Sequence, residues 1–297
     1  MAQEITLSTA TRTNLLSLQN TTDLIGRTQQ RLATGLKVNS ALDDALAYFK
    51  ARNLNSRASD LQTIKDGITG AVSVVTAATQ GLTSIENVLK QMKALAQSAI
   101  SAPESSTRAK LASQFNELRT QVDNLAEDAS FNGVNLLKNS TSAFKPGADQ
   151  LTVKFNERTE PQAINQLVIS GMRVSDYKTM MATSAVTHGT PGNTLVWGQT
   201  GTAAVKAMNA ALEAIDSALV TVRQAAATFG TNAAMLQIRS DFTAQIINTL
   251  KGGASDLVNA DMNEESANLL SLQTRQQLGT ISLSIAQKSE EAILRLF

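Results

Sequence analysis

The sequence predicts a mainly α fold: long antiparallel coiled-coil helices formed by both chain ends, with a small β-hairpin in the middle. Three observations predict it. Every 3-4-spaced position from Leu61 to Ala96 is apolar: Leu61, Ile64, Ile68, Ala71, Val75, Ala78, Leu82, Ile85, Leu89, Met92 and Ala96. A second run keeps the same rhythm from Val205 to Leu250, through Met208, Leu212, Ile215, Leu219, Val222, Ala226, Phe229, Ala233, Leu236, Ser240, Thr243 and Ile247. Between them lies the one stretch with strand-like composition.

The first run is a coiled-coil seam with no polar residue. At 1.5 Å per residue it makes a rod of roughly 50 Å. A helix this long cannot bury its stripe alone, and the second run is the antiparallel partner it requires. The composition agrees: hydrophobic content is 42% but aromatics only 4%, which suits helix-on-helix packing. Net charge is +1, so bulk electrostatics gives no reason to expect nucleic acid or an anionic membrane as partner. No cysteine is present, which excludes disulfides, thiolate metal sites and cysteine nucleophiles. No apolar run approaches the roughly 18 residues that span a bilayer. The first residues, Met1-Ala2-Gln3-Glu4-Ile5-Thr6, carry no basic cluster before an apolar core, so no cleaved general-secretory signal is expected.

In chain order, about Thr6 to Leu36 reads as a thin-striped helix with the seam Leu15, Leu18, Thr22, Ile25, Gln29, Leu32, Leu36. Its other faces are polar and its helix propensity is mediocre. It is either marginal until partners dock or an ordinary surface helix. Gly35 reads as the helix stop and Ser40 as the cap of the next helix. Gly67, Gly70 and Gly81 lie off the main seam, and each costs about 1 kcal/mol against Ala in a helix interior. Gly67 and Gly81 share a heptad position, so either a neighbour approaches closely there or the helix tolerates them. Pro103 ends the helix. A shorter helix with Leu111, Phe115, Leu118, Val122 and Leu125 folds back on it and ends near Ser130, before a Phe131-Asn132-Gly133 turn.

From Val134 to Thr202 the composition changes, with Pro146, Pro161, Pro191, His188 and Trp197 all inside it. Leu151–Phe155 and Gln166–Ser170 read as two strands. Thr183 to Gly201 reads as an exposed loop. Gly252-Gly253 marks the end, or a flexible point, of the second long helix. About Asn263 to Phe297 mirrors the first segment, with the stripe Leu270, Leu278, Ile281, Ile285, Ala292, Leu296. The plan is therefore palindromic, with the two ends side by side. The divisions read as 1–40 inner-core helix, 41–137 long helices of a rod, 138–202 hairpin and exposed loop, 203–255 second long helix of the rod, and 256–297 inner-core helix.

These residues resemble those of bacterial flagellin. Arg31-Leu32-Ala33-Thr34-Gly35-Leu36-Lys37-Val38-Asn39-Ser40-Ala41, followed by Asp43-Asp44-Ala45, resembles the family's N-terminal signature. Lys65-Asp66-Gly67-Ile68 and Phe131-Asn132-Gly133 resemble family stretches on the first long helix and after the second helix. Asp261-Met262, Glu264-Glu265, Gln276-Gln277-Leu278 and Leu294-Arg295-Leu296-Phe297 are similar to the family near its other end. The resemblance covers roughly residues 5 to 137 and 203 to 297.

It implies a filament whose inner coiled coil is made by both chain ends, with the rod helices as the next shell. With only 138–202 available between the rod helices, the chain resembles reduced, alphaproteobacterial flagellins with little or no outer domain. It also implies many copies of the chain as partners, along with the flagellar type III export apparatus, an export chaperone and the filament cap. The place implied is the extracellular filament. Many flagellins read Gln-Arg-Val-Arg-Glu-Leu-Ala where an animal innate-immune receptor grips them. Here Lys90-Gln91-Met92-Lys93-Ala94-Leu95-Ala96 puts Gln91 for the central Arg and Ala94 for the Glu.

No enzyme constellation is present. His188 is alone, no HExxH or glycine-rich phosphate loop occurs, and no cofactor or metal is expected. Asp43-Asp44 reads as a cap or helix N-terminal charge rather than a cation site. Glu264-Glu265 and Glu290-Glu291 read as solvated faces. The expected function is a structural filament subunit. Leu15, Leu18, Ile25, Leu32, Leu278, Ile281, Ile285 and Leu296 would be its subunit-packing residues. Leu61, Ile68, Leu82, Leu89, Leu212 and Leu219 would form its rod-core seam. The alternatives are the hook–filament junction protein of the same superfamily, which occurs in few copies, and an amphipathic lipid-surface protein. The latter lacks the basic faces and aromatic anchors it needs.

Overall fold

In the computed structural model the described residues are 9–138, 145–157, 165–172, 197 and 201–294, with side chains left out at 10 and 290–294. The elements are α1 (Thr9–Thr34), α2 (Ala45–Ser101), α3 (Ser105–Asp128), β1 (Gln150–Lys154), β2 (Gln166–Ser170), α4 (Thr202–Val258) and α5 (Met262–Leu294). They fall into two compact units, Ser59–Ile247 and the paired ends Met1–Ala58 with Asn248–Phe297.

The Ser59–Ile247 unit is built on the α2 seam. All its positions are buried except Ile64, which is half-buried and packed against the core. Ile68, Val75, Ala78, Met92 and Ala96 are fully inaccessible. Facing them are Phe115 and Val122 of α3 and Met208, Ile215, Val222, Phe229 and Leu236 of α4. Of the rod-core residues expected from sequence, Leu61, Ile68, Leu82, Leu89 and Leu219 are buried, and Leu212 is half-buried against the core. Val205, the first expected α4 position, is exposed at the helix start. α2 and α4 run antiparallel, as two cross-helix ion pairs record: Lys93 with Asp216, and Glu86 with Arg223 at 3.0 Å. An 18-residue window of α2 reaches a mean hydropathy of 1.2, enough to cross a bilayer by composition. The sequence reading that no such run exists is corrected there. The apolar side that raises the average is the seam, which α3, α4 and the hairpin cover.

Pro103 breaks the chain between α2 and α3 as expected. Arg108, itself buried, closes the corner by donating to the carbonyls of Ala102 (2.9 Å) and Pro103 (3.2 Å) and from Nε to that of Trp197 (3.0 Å). Trp197 is wholly buried against Phe115, with ring centroids 5.1 Å apart. Within the segment expected to be an exposed loop, the described residue Trp197 is therefore a core residue: a large indole gains more from burial than the Gly/Thr-rich context suggests. After α3, Asn132 and Gly133 both take positive φ between reciprocal Phe131–Val134 backbone bonds of 3.0 Å, the geometry of a type I′ turn. Asn135 then donates to the carbonyls of Ala126 and Glu127 and accepts from Leu137 N–H, seating the buried pair Leu136 and Leu137.

The strands pair antiparallel with Leu151 opposite Ile169 and Val153 opposite Leu167. The period-2 alternation buries Val153 and Ile169 against the helices and leaves Val168 exposed. Pro161, Pro191 and His188 lie outside the described residues.

The two candidate glycines part company. A Cβ on Gly81 would stand 2.6 Å from Ala129 Cβ and 2.9 Å from Leu137 Cδ1, so here the end of α3 and the loop after it approach closely. A Cβ on Gly67 would meet nothing within 4 Å, so that glycine is tolerated rather than required. In the other unit α4 continues through Gly252-Gly253 to Val258, so these glycines neither end nor interrupt the helix. We predict that Gly67→Ala stabilises the subunit by about 0.5–1 kcal/mol, whereas Gly81→Ala destabilises it by about 1–3 kcal/mol through overpacking. Urea unfolding of monomeric subunits checks both.

Candidate subunit-packing surface

In the unit of the chain ends, α1 and α5 pack antiparallel. Arg31 meets Glu265 (2.8 Å), Thr22 lies beside Gln276 (3.5 Å), and Leu18 Cδ1 stands 3.2 Å from where a Cβ on Gly279 would be. Residue numbers fall along one helix as they rise along the other. At the closed end, Gly35 takes φ +72° and stops α1, as read from sequence. Lys37 N–H then donates to the Val258 carbonyl (2.7 Å) and Ala260 N–H to that of Gly35 (2.9 Å).

Ser40 is not the cap of α2. Asp44 is, accepting from Ala47 N–H at 3.0 Å. Asp43 instead organises the preceding turn, accepting from the N–H groups of Ser40 (3.0 Å) and Asn39 (3.2 Å). These bonds, that of Ser40 foremost, hold its carboxyl below the usual carboxylate range. Asp44 is thus the cap expected from sequence, whereas Asp43 serves the backbone of the turn before the helix. Glu265 corrects the reading of Glu264-Glu265 as a solvated face. It is buried and paired with Arg31, while Glu264 is exposed. A solitary glutamate could not be buried at that cost without its partner, and the signal for it was the arginine in the Arg31–Ala41 stretch.

The thin stripe of α1 turns out to be shared between two directions. Leu18, Ile25 and Leu32 are buried or half-buried on the side of α5, joined there by Thr11, Thr21 and Thr28. Leu15 is 38% exposed, and Thr22 and Gln29 are exposed as well although Thr22 still touches Gln276, so Thr21 and Thr28 are the more covered positions, each one residue before an expected seam residue. Leu16 and Leu24 are also exposed.

On α5 the half-buried residues Leu269, Leu272 and Leu283 share the 3-4 spacing of Glu265, Gln276 and Gly279, the positions that touch α1. The stripe expected from sequence lies on a different face and is uncovered. Leu270, Leu278, Ile281 and Ile285 are 67%, 62%, 56% and 64% exposed. Leu296 lies outside the described residues. Thus α5 carries two apolar faces, one used by α1 and one free.

On α2, Gln91 and Ala94 are both exposed. One turn away, Glu86 holds Lys90 and Arg223, each at 3.0 Å. Among the described residues no cluster of His, Asp or Glu could hold a metal ion.

The family model of the bacterial flagellin N-terminal helical region matches residues 5–142, and that of the C-terminal helical region matches residues 212–297. The chain belongs to the bacterial flagellin family. Flagellin FljO of Caulobacter vibrioides is 34% identical over 95% of this chain and 95% of its own length. Flagellin FljK of the same organism is 33% identical over 95% and 94%. The flagellin of Brucella melitensis is 27% identical over 100% of this chain and 99% of its own. The chain is accordingly a structural subunit of the extracellular flagellar filament, not an enzyme, and it polymerises with its own copies. Only residues 143–211 lie between the two matched regions, little room for a large outer domain, as the resemblance implied. The junction-protein alternative gives way to relatives called flagellin that match almost end to end.

Hydrogen bonds from Lys90, then Arg223, hold the Glu86 carboxyl below the usual carboxylate range. A carboxylate lowered in the folded state contributes stability that is full above its unfolded value near 4.5 and is lost as pH falls through the folded value. Between pH 6 and pH 3 the parent subunit should therefore lose more stability than Glu86→Gln. Denaturant midpoints of both proteins across that range check the sign.

Proposed function

We propose that the uncovered stripe on α5, with Leu15 on α1, is where neighbouring flagellin subunits meet, and that assembly completes a core which one copy leaves unfinished. Leu278, Ile281, Ile285 and Leu296 of one copy, with Leu15 and the edges of Leu18, Ile25 and Leu32, would pack on other copies. Segments 1–40 and 256–297 would form the inner coiled coil lining the filament channel. Segments 41–137 and 203–255 would form the rod helices of the next shell, with 138–202 as their insert.

One observation carries this reading. The 61–96 seam is buried almost completely, whereas Leu278, Ile281 and Ile285, equally apolar, are more than half exposed. Burying one such side chain stabilises by roughly 1.5–3 kcal/mol. An exposed row of them gives each docking event a driving force and lets it offset the ordering entropy of the ends. Growth is then cooperative and templated at the tip. Export would follow the flagellar type III route without a cleaved signal, with a chaperone shielding the apolar ends and a filament cap directing their insertion.

Replacing Ile285 with Asp should abolish seeded polymerisation while leaving the helical signal and stability of 59–247 intact. Sedimentation and circular dichroism together check this, and normal filaments from the variant would contradict it. At Gln91 and Ala94 the amide cannot reproduce a bidentate or stacked arginine contact. We expect weak activation of the innate-immune receptor in reporter cells, and activation equal to an Arg-bearing flagellin would refute it.

A further inference from the structure

Two further apolar groups lie outside both cores and off the terminal stripe. Leu42, Leu46 and Phe49, at the start of α2, are 98%, 67% and 59% exposed, and the Tyr48 ring stands edge-on to that of Phe49. Met235, Ile238 and Phe242, on α4, are 43%, 68% and 54% exposed. Their spacing of three and four puts them on one helix face. Single exposed leucines are ordinary, but clusters mark interaction sites.

We propose that the two groups are the halves of one contact between copies: Leu42, Leu46 and Phe49 of one subunit pack on Met235, Ile238 and Phe242 of a neighbour. This rests on the filament reading and adds a specific pairing to it.

Three arguments choose a second copy as the occupant. An open helical polymer needs a surface that meets a different surface on the next subunit, since self-matching patches close into dimers. Two separate groups of like make-up, each one aromatic and two unbranched or branched aliphatic side chains, meet that need. Second, the contact is small. Together the six side chains can bury well under the roughly 1,600 Å² of a standard stable interface. It cannot hold two free subunits together and gains force only beside other contacts, as a subunit kept apart until assembly requires.

Third, several polar groups beside both halves are already engaged. The turn that presents Leu42 is fixed by Asp43 and capped by Asp44. On α4, Gln237 donates to Asp241 (3.1 Å), and the Arg239 guanidinium lies 5.1 Å over the Phe155 ring. Burying the patches would therefore cost little at these groups.

The chain has no cysteine, so introduced thiols are unique. In filaments of the double variant Leu46→Cys with Ile238→Cys, mild oxidation should give a ladder of covalent multimers on a non-reducing gel. Either single variant should stay monomeric. Filaments of the double variant with no ladder would overturn the pairing, as would dimers from a single variant. Rapid labelling of either thiol in intact filaments by a bulky water-soluble maleimide would mean that the face is open to solvent or another partner, and would overturn it too.

If the double variant does not elongate seeds, a charge pair decides. Leu46→Lys and Ile238→Glu should each slow seeded elongation at least tenfold, and combining them in one chain should recover most of the rate. No recovery would contradict the proposal. Failure of the unaltered chain to elongate seeds would count against the filament reading instead.

Discussion

The structure of the Ser59–Ile247 unit depends on the seam of α2, a continuous apolar stripe that no solvent-facing arrangement could satisfy. With almost no aromatics to fill space, close approach of helices must do the filling, and the small residues on the seam permit it. Ala71, Ala78 and Ala96 alternate with Ile, Leu and Met, so α3 and α4 can lie near enough to shut water out. Gly81 carries the same requirement further, to contact distance with the end of α3. The turn at Phe131–Val134, the Asn135 bonds, the hairpin and Trp197 then close the ends of that groove. Each has a local chemical reason, but none would be placed as it is without the stripe it covers.

The unit of the chain ends obeys a different balance. Among the described residues its helices are joined by the part-buried Arg31–Glu265 pair, a glycine approach and a short stripe in which threonines take positions that leucines could fill. The apolar content is adequate for more, but much of it is turned outward. A protein that had to be finished as a monomer would be expected to hide Leu278, Ile281 and Ile285. A protein finished only among copies gains by leaving them in reach, because burial is then linked to assembly and not to folding of one chain. On the proposed reading, the contrast between the two units separates a body that folds alone from ends that are completed by neighbours.

Much of this was legible in the residues. Long 3-4 runs admit one reading, so α2 and α4 and their antiparallel pairing could be anticipated, as could the break at Pro103, the stop at Gly35 and the two strands. Fine placement was not. On α1, hydrophobicity drew the seam through Leu15, whereas the covered positions include Thr11, Thr21 and Thr28, residues that carry no apolar signal. Ser40 and Asp44 are both good caps, and the choice between them turned on Asp43 holding the turn, a three-body matter that propensity does not encode. The burial of Glu265 depended on an arginine 234 residues away. Trp197 was hidden by its neighbours, since a loop-like context says nothing about one ring anchored at a distant corner. The exposed groups around Leu46 and Ile238 passed unseen for a related reason. A helix with an excellent seam draws attention to that seam, and a second apolar face is visible only after the first is covered.

The central claim is that the chain ends are completed by neighbouring copies and not by folding of the single chain. Amide hydrogen exchange on the same protein, first as monomer and then as filament, tests it most directly. The account predicts that amides of α1 and α5 exchange far faster than those of Ile68–Ala96 in the monomer, then slow by orders of magnitude on polymerisation, while the seam changes little. Terminal helices as protected as the seam in the monomer, with no further slowing in the filament, would contradict it.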